Sequence, residues 1–485
     1  MRITEDLRQY ISLLEDKGEL ARIRAEVDWN FEVGAITRRL IDTRGPAPLF
    51  ENIKDYPKGY RIFSLPFGPS KPLLGRLALA LGRDQNTHPV ELINSTSDKL
   101  KPVEPKIVSD APCKENIMKG DDINVLKFPV PFIHGVDGGR YIGTWCIIVT
   151  KEKDRNWTNW GVYRVMVQNE KIVSMNFERR AQQHGSQMYE RHLEKPKGPF
   201  NVAISIGADP ISLLAATMSP PEGISECEIA GGIRGSPTKL ARCESVDLEV
   251  PASSEIVIEG EVSTDEMMEG PMGEFTGYTG GGRMLLPYVR VKCVTYRNDP
   301  ILTLANMGKP WDDTAVTFPV TYSSWVRKIL LDKGLPIKDV YMWPAYGLTI
   351  SVKGRGGPGI AHKVIQAIRD SHCRGFLSFC FIVGEDIDVS NLEDVFWCLT
   401  TRLHPRNGIH TFARANALGS PLLPALTPDE RENHYSYATY FDCTWPSDWS
   451  EEYVQEHCSV IDFERAWPES VQEKVIRRWN EYGLK

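Results

Sequence analysis

The chain is 485 residues long, 41% hydrophobic and 25% charged, and its 57 Lys and Arg against 64 Asp and Glu leave a formal charge of -7. That length is more than one hydrophobic core fills, so two or three domains are expected, and the acidic balance excludes nucleic acid as the main partner. The ten cysteines are scattered and form no C-x-x-C pair, which excludes a disulfide framework or a zinc ribbon and points to the reducing cytoplasm.

The polar opening Met1-Arg2-Ile3-Thr4-Glu5-Asp6 carries no signal peptide, and no apolar run approaches the ~20 residues that span a bilayer, so no membrane partner is expected. The first predicted element is an amphipathic helix: Leu7, Tyr10, Ile11 and Leu14 recur at i, i+3, i+4 and i+7, with Thr4 as N-cap and Gly18 as the stop. A second helical stretch over Val33–Leu40 runs out at Arg44-Gly45-Pro46-Ala47-Pro48, and Lys101–Pro105 reads as an exposed connection between domains. From about 125 to 310 come β-branched or aromatic runs: Tyr141–Thr150, Val162–Val167, Asn201–Ile206, Glu255–Glu259 and Tyr288–Tyr296. Gly, Pro, Asn and Asp separate them, a spacing that suits a barrel or sandwich. After residue 320 strands and helices alternate through Leu348–Val352, Ala361–Arg369, Phe376–Val383 and Leu392–Leu403, the pattern of an α/β domain. Ser470–Tyr482 is a charged amphipathic helix able to dock on this subunit or on a partner.

Three clusters hold residue types suited to chemistry. In Asn159-Trp160-Gly161-Val162-Tyr163-Arg164, followed by Gln183-His184, a strand that presents an arginine can hold an anion, because guanidinium offers a carboxylate two parallel donors. The plainer reading makes Arg164 a surface strand residue and His184 a loop histidine. In Pro220-Pro221-Glu222-Gly223-Ile224-Ser225-Glu226, Glu226 alone is a solvated acid, but with Asn159 and His184 it completes an oxygen/nitrogen ligand set for Mn2+ or Mg2+. In Glu269-Gly270-Pro271-Met272-Gly273-Glu274 two carboxylates flank a tight turn. Brought into one pocket, such acids push their proton affinities apart and one becomes a general acid; held apart, they are a polar surface turn. A fourth segment, Gly354-Arg355-Gly356-Gly357-Pro358-Gly359, matches the dinucleotide fingerprint G-x-G-x-x-G. Pro358 lacks the N–H that pyrophosphate recognition uses, so a plain glycine loop is the better reading.

Taken in order, Asn-Trp-x-x-x-Arg at 159–164, Gln-His at 183–184, Met-x-Pro-x-Glu-Gly-x-Ser-Glu at 218–226 and Glu-Gly-Pro-x-Gly-Glu at 269–274 resemble the UbiD decarboxylase family. Phe275-Thr276-Gly277-Tyr278, Gly280-Gly281-Gly282-Arg283 and Met307-Gly308-Lys309-Pro310-Trp311 look like its hydroxyaryl-acid branch. The resemblance implies a multidomain α/β (α+β) fold: an N-terminal α/β region over 1–120, a central split β-barrel binding prenylated FMN over 121–315, a C-terminal α/β dimerisation domain over 316–460 and a docking helix over 461–485. It implies reversible non-oxidative decarboxylation of an aromatic, heteroaromatic or α,β-unsaturated carboxylic acid through a covalent prenylated-FMN adduct. Such a cofactor makes chemical sense, because CO2 loss from an sp2 carbon leaves carbanion character that side chains cannot delocalise.

By position, the resemblance assigns Arg164 to orienting the carboxylate, Glu274 to protonating carbon and Glu269 to holding Arg164. It makes Asn159, His184 and Glu226 the ligands of a Mn2+ (or Mg2+) that bridges to the cofactor phosphate, and sets backbone at Trp160, Ala216 and Met218 beside K+. Asn159, Trp160, Gly161, Val162, Tyr163, Arg164, Gln183, His184, Met218 and Glu226 would line the cofactor. Gln183, Trp311, Thr314, Phe318 and the Leu422-Leu423 stretch, Leu423 in particular, are the candidate substrate wall. The family's phosphate-contacting lysine has no obvious counterpart between His372 and Phe379, where Arg374 is the candidate substitute. The implied partners are a small carboxylic acid, a flavin prenyltransferase that supplies the cofactor, and further copies of the chain in a homodimer or larger assembly. Two rival readings are a flavin- or nicotinamide-dependent oxidoreductase, since a split barrel or the 354–359 loop also suits redox chemistry, and a non-catalytic binding protein. The intact Arg164, Glu269 and Glu274 set argues against the second.

Overall fold

The computed structural model describes residues 2–177, 183–196, 198–280, 282–344, 347–376, 378–414 and 423–484. The opening helix forms as Leu7–Asp16 with Leu7, Tyr10, Ile11 and Leu14 buried, and Gly18 ends it with a left-handed φ of 72°. Its N-cap is Asp6 and not Thr4: the Asp6 carboxylate accepts the Gln9 N–H at 2.8 Å, and its charge also suits the helix dipole. The second helix, Glu32–Thr43, stops at left-handed Arg44. Both helices lie against a four-stranded sheet ordered Leu20–Ile23, Ala47–Phe50, Arg61–Ser64, Ile301–Leu304, whose last strand arrives from far along the chain and runs parallel to Arg61–Ser64.

The central sheet follows the path Tyr141–Gly143, Val165–Asn169, Ile172–Met175, Met284–Tyr296, Ile256–Glu269, Phe200–Ile206, Cys146–Glu152, Trp157–Gly161, with Asn116–Lys119 paired onto Met284–Tyr296. Its two ends are joined twice by very short links. Thr144 and Trp145 lead from the first strand of the path to the seventh, and Val162–Arg164 lead from the last to the second. Three residues reach ~14 Å at most, whereas six inter-strand steps in a flat sheet would cover ~29 Å, so the sheet curls until its edges approach. The result is a curled half-barrel, and the strands expected over Tyr141–Thr150 and Val162–Val167 are both broken at its seam. Its faces are buried alternately, Ile148, Val202, Ile204 and Ile258 in one core cluster and Ile147, Val149, Ala203 and Val257 in the other.

The helix Asp313–Asp332 spans residues 315 and 316 and leads into a five-stranded sheet ordered Ile337–Trp343, Gly347–Val352, Phe379–Gly384, Ser436–Asp442, Ile409–Arg414. That helix escapes the periodicity reading because Pro319 and a run of Thr and Ser interrupt its pattern. Gly347–Val352 and Phe379–Gly384 are parallel with helix Ile360–Arg369 between them, so the glycine loop 354–359 does link a strand to a helix. The expected final helix divides into Glu469–Arg477 and a 3-10 turn, Trp479–Tyr482. No helix among the described residues is long and apolar enough to cross a membrane.

Candidate active site

Glu269 ends one strand of the longest hairpin, Met284 opens the facing strand, and the residues between them form the hairpin tip. Gly270 takes a φ of 81°, and a Cβ there would stand 2.6 Å from the Gly282 carbonyl oxygen, so the turn requires glycine. The tip brings Glu274 back to the barrel seam, where Arg164 lies in the short link and not on a strand. Arg164 Nε and Nη2 donate side-on to the two Glu269 oxygens at 2.9 and 2.7 Å, and Nη1 donates to Glu274 Oε1 at 2.5 Å. Tyr141 Oη donates to Glu269 Oε1 at 2.8 Å. All four side chains are buried, so neither a surface arginine nor a polar surface turn describes them.

Burial opposes the Arg164 charge, but Glu274 and Glu269 outweigh it and hold the guanidinium protonated. Burial pushes the Glu274 carboxyl up against the pull of Arg164, and the charges of Glu269 and Asp137 push it further. One cation between two buried carboxylates leaves an excess negative charge, and a proton on Glu274 removes it. Guanidinium has five N–H donors and the three bonds above use three, which leaves two for an incoming carboxylate.

Of the predicted metal ligands, Asn159 lies on strand Trp157–Gly161, and His184 and Glu226 each contact a residue of that strand. Asn159 is buried there, its Nδ2 donating to Thr150 Oγ1 at 3.4 Å. Glu226, first residue of helix Glu226–Arg234, accepts the Trp160 N–H at 2.7 Å. His184 opens helix His184–Glu194 and meets Trp157 edge-on, ring centres 5.0 Å apart. Burial pushes Glu226 up to about 8 against the pull of the Trp160 and Glu226 N–H groups, and no Lys or Arg among the described residues pairs with it. Burial also lowers His184, which favours the neutral, ligating imidazole. Among the described residues no three His, Cys, Asp or Glu side chains cluster as a ready-made cage; this trio supplies two, with an amide as the third. A buried carboxylate lacking a counter-charge nevertheless suits a hard or borderline cation, and a neutral imidazole and an amide are ligand types such a cation accepts. The buried Trp160 Nε1 and Ser186 Oγ have no hydrogen-bond partner among the described residues, so the same wall can receive a polar group.

The remaining candidates divide between the two sides. Tyr163 Oη accepts the Gly185 N–H at 3.0 Å, tying the Gly161-Val162-Tyr163 link to the His184 helix. Trp160, Ala216 and Met218 share one buried cluster, and the Met218 N–H donates to the Ala215 carbonyl at 2.9 Å. Gln183 immediately precedes the His184 helix. Across the turn, Phe275 meets Phe318 edge-on at 5.3 Å, Thr314 lies one turn earlier on the Phe318 helix, and Trp311 and Leu423 pack against the same cluster. Leu422 lies outside the described residues, and Arg374 is exposed. Tyr141, His134 and Asp137 adjoin the Glu269–Glu274 turn without having been singled out in the sequence. Their signal is the run His134-Gly135-Val136-Asp137-Gly138-Gly139-Arg140-Tyr141, polar residues set among glycines just ahead of a strand.

Known proteins are similar to this chain over nearly its whole length. Residues 11–96, 106–310 and 323–443 match in turn the N-terminal, Rift-related (UbiD) and C-terminal domains of 3-octaprenyl-4-hydroxybenzoate carboxy-lyase. The chain is 32% identical over 499 residues to pyrrole-2-carboxylic acid decarboxylase of Pseudomonas aeruginosa, covering 99% of this chain and 98% of that one. It is 31% identical over 504 residues to ferulic acid decarboxylase 1 of Saccharomyces cerevisiae, at the same coverage of 99% and 98%. Among solved structures, the closed form of Sedimentibacter hydroxybenzoicus vanillic acid decarboxylase superposes with a TM-score of 0.86 at 28% identity, covering 100% of both chains. The UbiD-class enzyme HmfF of Pelotomaculum thermopropionicum, solved in an evolved dimeric form with prFMN, gives a TM-score of 0.76 at 25% identity, covering 92% of this chain and 96% of that one.

Proposed function

Because the chain belongs to the UbiD family and is a carboxy-lyase, we propose that it removes CO2 non-oxidatively and reversibly from an aromatic, heteroaromatic or α,β-unsaturated carboxylic acid at the Arg164, Glu269 and Glu274 cluster. The observation that carries this reading is the buried arginine held between two carboxylates, with two N–H donors to spare. Prenylated FMN, bound in the half-barrel, supplies the electron sink for the charge left on carbon when CO2 departs. Arg164 grips the substrate carboxylate, and Glu269, itself held by Tyr141, keeps the guanidinium plane fixed. Glu274 gives its proton to the former carboxyl carbon and recovers it in the reverse direction.

Asn159, His184 and Glu226 hold Mn2+ or Mg2+, whose charge answers the uncompensated Glu226 carboxylate and offsets the cofactor phosphate. Backbone at Trp160, Ala216 and Met218 borders K+, and the 159–164 run with Gln183, His184, Met218 and Glu226 forms the cofactor wall. Gln183, Trp311, Thr314, Phe318 and Leu423 face the flat apolar body of the acid. The segments 1–120, 121–315, 316–460 and 461–485 act as N-terminal region, cofactor domain, dimerisation domain and docking helix, in a cytoplasmic homodimer or larger assembly loaded by a flavin prenyltransferase. The curated relatives named above are decarboxylases, which leaves the oxidoreductase reading without support.

The test is anaerobic purification after coexpression with a flavin prenyltransferase, then a CO2-release screen over pyrrole-2-carboxylate, ferulate, vanillate and their analogues. Release of CO2 without consumption of O2 or nicotinamide is the expected result. Cofactor-loaded protein that releases none, yet oxidises or reduces a member of the panel, would return the oxidoreductase.

A further inference from the structure

The segment from His134 to Gly139 packs behind the Glu269–Glu274 turn, and the roles assigned above leave it unused. Asp137 Oδ1 accepts the Gly273 N–H at 2.9 Å, and the Gly138 N–H donates to the Pro271 carbonyl at 2.7 Å, so two bonds clamp the turn directly before Glu274. The His134 ring fills the space beneath: a Cβ on Gly273 would stand 2.8 Å from its Nδ1. Both ring nitrogens face acceptors. Nδ1 lies 3.2 and 3.1 Å from the two Asp137 oxygens, and Nε2 lies 2.8 Å from Asn306 Oδ1. The Asn306 Nδ2 donates to the Gly34 carbonyl at 2.6 Å, which sets the amide with its oxygen towards the ring. An imidazole with acceptors on both sides is satisfied only as the imidazolium. Burial works against that charge, and Asp137 is the ionisable group that counters it.

We propose that His134 and Asp137 form a charged positioning pair that clamps the Gly270–Glu274 turn and so fixes where the Glu274 carboxyl stands against Arg164, an inference that rests on Glu274 being the proton donor. Each member needs the other. The imidazolium gives the buried Asp137 carboxylate a counter-charge at 3.1 Å, and a carboxylate binds the Gly273 N–H more strongly than a neutral acceptor would. A shift of the turn would move Glu274 away from the reacting carbon without touching the groups that bind substrate or cofactor.

Histidine-selective 15N NMR of the full-length protein reads the pair directly, the His134 signal being the one lost in His134→Gln. His134 should remain an imidazolium at pH 8, above the about 6.5 at which a free imidazole titrates, and should turn neutral in Asp137→Asn. A neutral His134 at that pH in the parent protein overturns the proposal. In the cofactor-loaded enzyme, Asp137→Asn should lower kcat about tenfold on the best acid from the screen above, with KM, flavin and metal content within about twofold. An unchanged kcat overturns the proposal, and so does a joint collapse of kcat, KM and flavin content, which marks a merely structural residue. Gly273→Ala disturbs the same clamp from the turn side and decides the matter if Asp137→Asn does not fold. It should lower kcat in the same way, and the two effects should not add; an unchanged kcat there also counts against the clamp. Glu274→Gln alongside separates the two readings. Turnover surviving in that variant removes the proton-donor role, whereas turnover lost there but kept in Asp137→Asn removes the positioning pair alone.

Discussion

Two buried acid clusters stand at opposite ends of the run from Asn159 to Arg164, and they settle their charge in opposite ways. Around Arg164 the protein supplies its own counter-ion: the guanidinium engages Glu269 through two bonds and Glu274 through a third, and Tyr141 caps the arrangement. Around Glu226, among the described residues, it supplies the Trp160 and Glu226 N–H groups but no side-chain cation, and the carboxyl is driven up to about 8. A group that must pass a proton back and forth profits from a fixed internal cation that tunes it. A buried carboxylate without one can accept a cation from outside.

The largest effect should come from Glu274→Gln, which keeps the shape of the self-contained cluster but removes its proton. Fold, metal and flavin should persist while turnover falls roughly 10²–10⁴-fold, the usual contribution of general acid–base catalysis. Solvent-deuterium exchange into a product analogue checks the assignment; exchange at the wild-type rate would give the proton to another acid or to water.

The open cluster is broken from its other side. Glu226→Ala and His184→Ala should each lower cation content and flavin retention, read by elemental analysis and flavin absorbance; full occupancy in both would sink the ligand assignment. In metal-free protein Glu226 also writes itself into the pH dependence of stability. Its carboxyl titrates near 4.5 when unexposed to these constraints and at about 8 when folded, so between those values the native state holds a proton that the unfolded chain has lost. Stability therefore falls as pH rises through that window, by up to roughly 5 kcal/mol at about 1.4 kcal/mol per pH unit. Added Mn2+ should cancel the loss and Glu226→Gln should abolish it. Asp312 and Asp313, both pushed up to about 7 by burial, add a slope of the same sign below about pH 7 in both proteins, so Glu226 is read from the difference between them and most cleanly between pH 7 and 8. Thermal unfolding of the two proteins from pH 5 to 8 would show identical slopes if Glu226 were already neutralised.

Smaller effects sharpen the contrast. Glu269→Gln takes away the side-on partner of Arg164 and should cost about 1.5–3 kcal/mol of unfolding free energy, the range for hydrogen bonds to charged groups. It should also raise KM for the acid more than it changes exchange into the product analogue, the reverse of Glu274→Gln. Tyr141→Phe removes one donor from Glu269 and should cost about 1 kcal/mol, seen as a modest drop in kcat/KM with metal content unchanged.

The legible part of this protein was local. The spacing of Leu7, Tyr10, Ile11 and Leu14 announced a helix, and the order of short motifs pointed to Arg164, Glu269 and Glu274, because side-chain chemistry and periodicity are written residue by residue. The closing of the half-barrel was not legible. It depends on edge strands distant in sequence approaching each other, which broke the expected strands at Thr144-Trp145 and Val162–Arg164 and moved Arg164 from a strand into the seam. Neither did any local pattern show that His134 and Asp137 would lie behind Gly273, or that Phe318 on a proline-interrupted helix would meet Phe275. By itself the amino-acid sequence determined which chemical groups are present and which short elements carry them. Only the tertiary structure decided which of those groups share a dry environment, and so which charges are compensated and which acid keeps its proton. Burial and the nearest charges set those properties, and both are facts about neighbours in space.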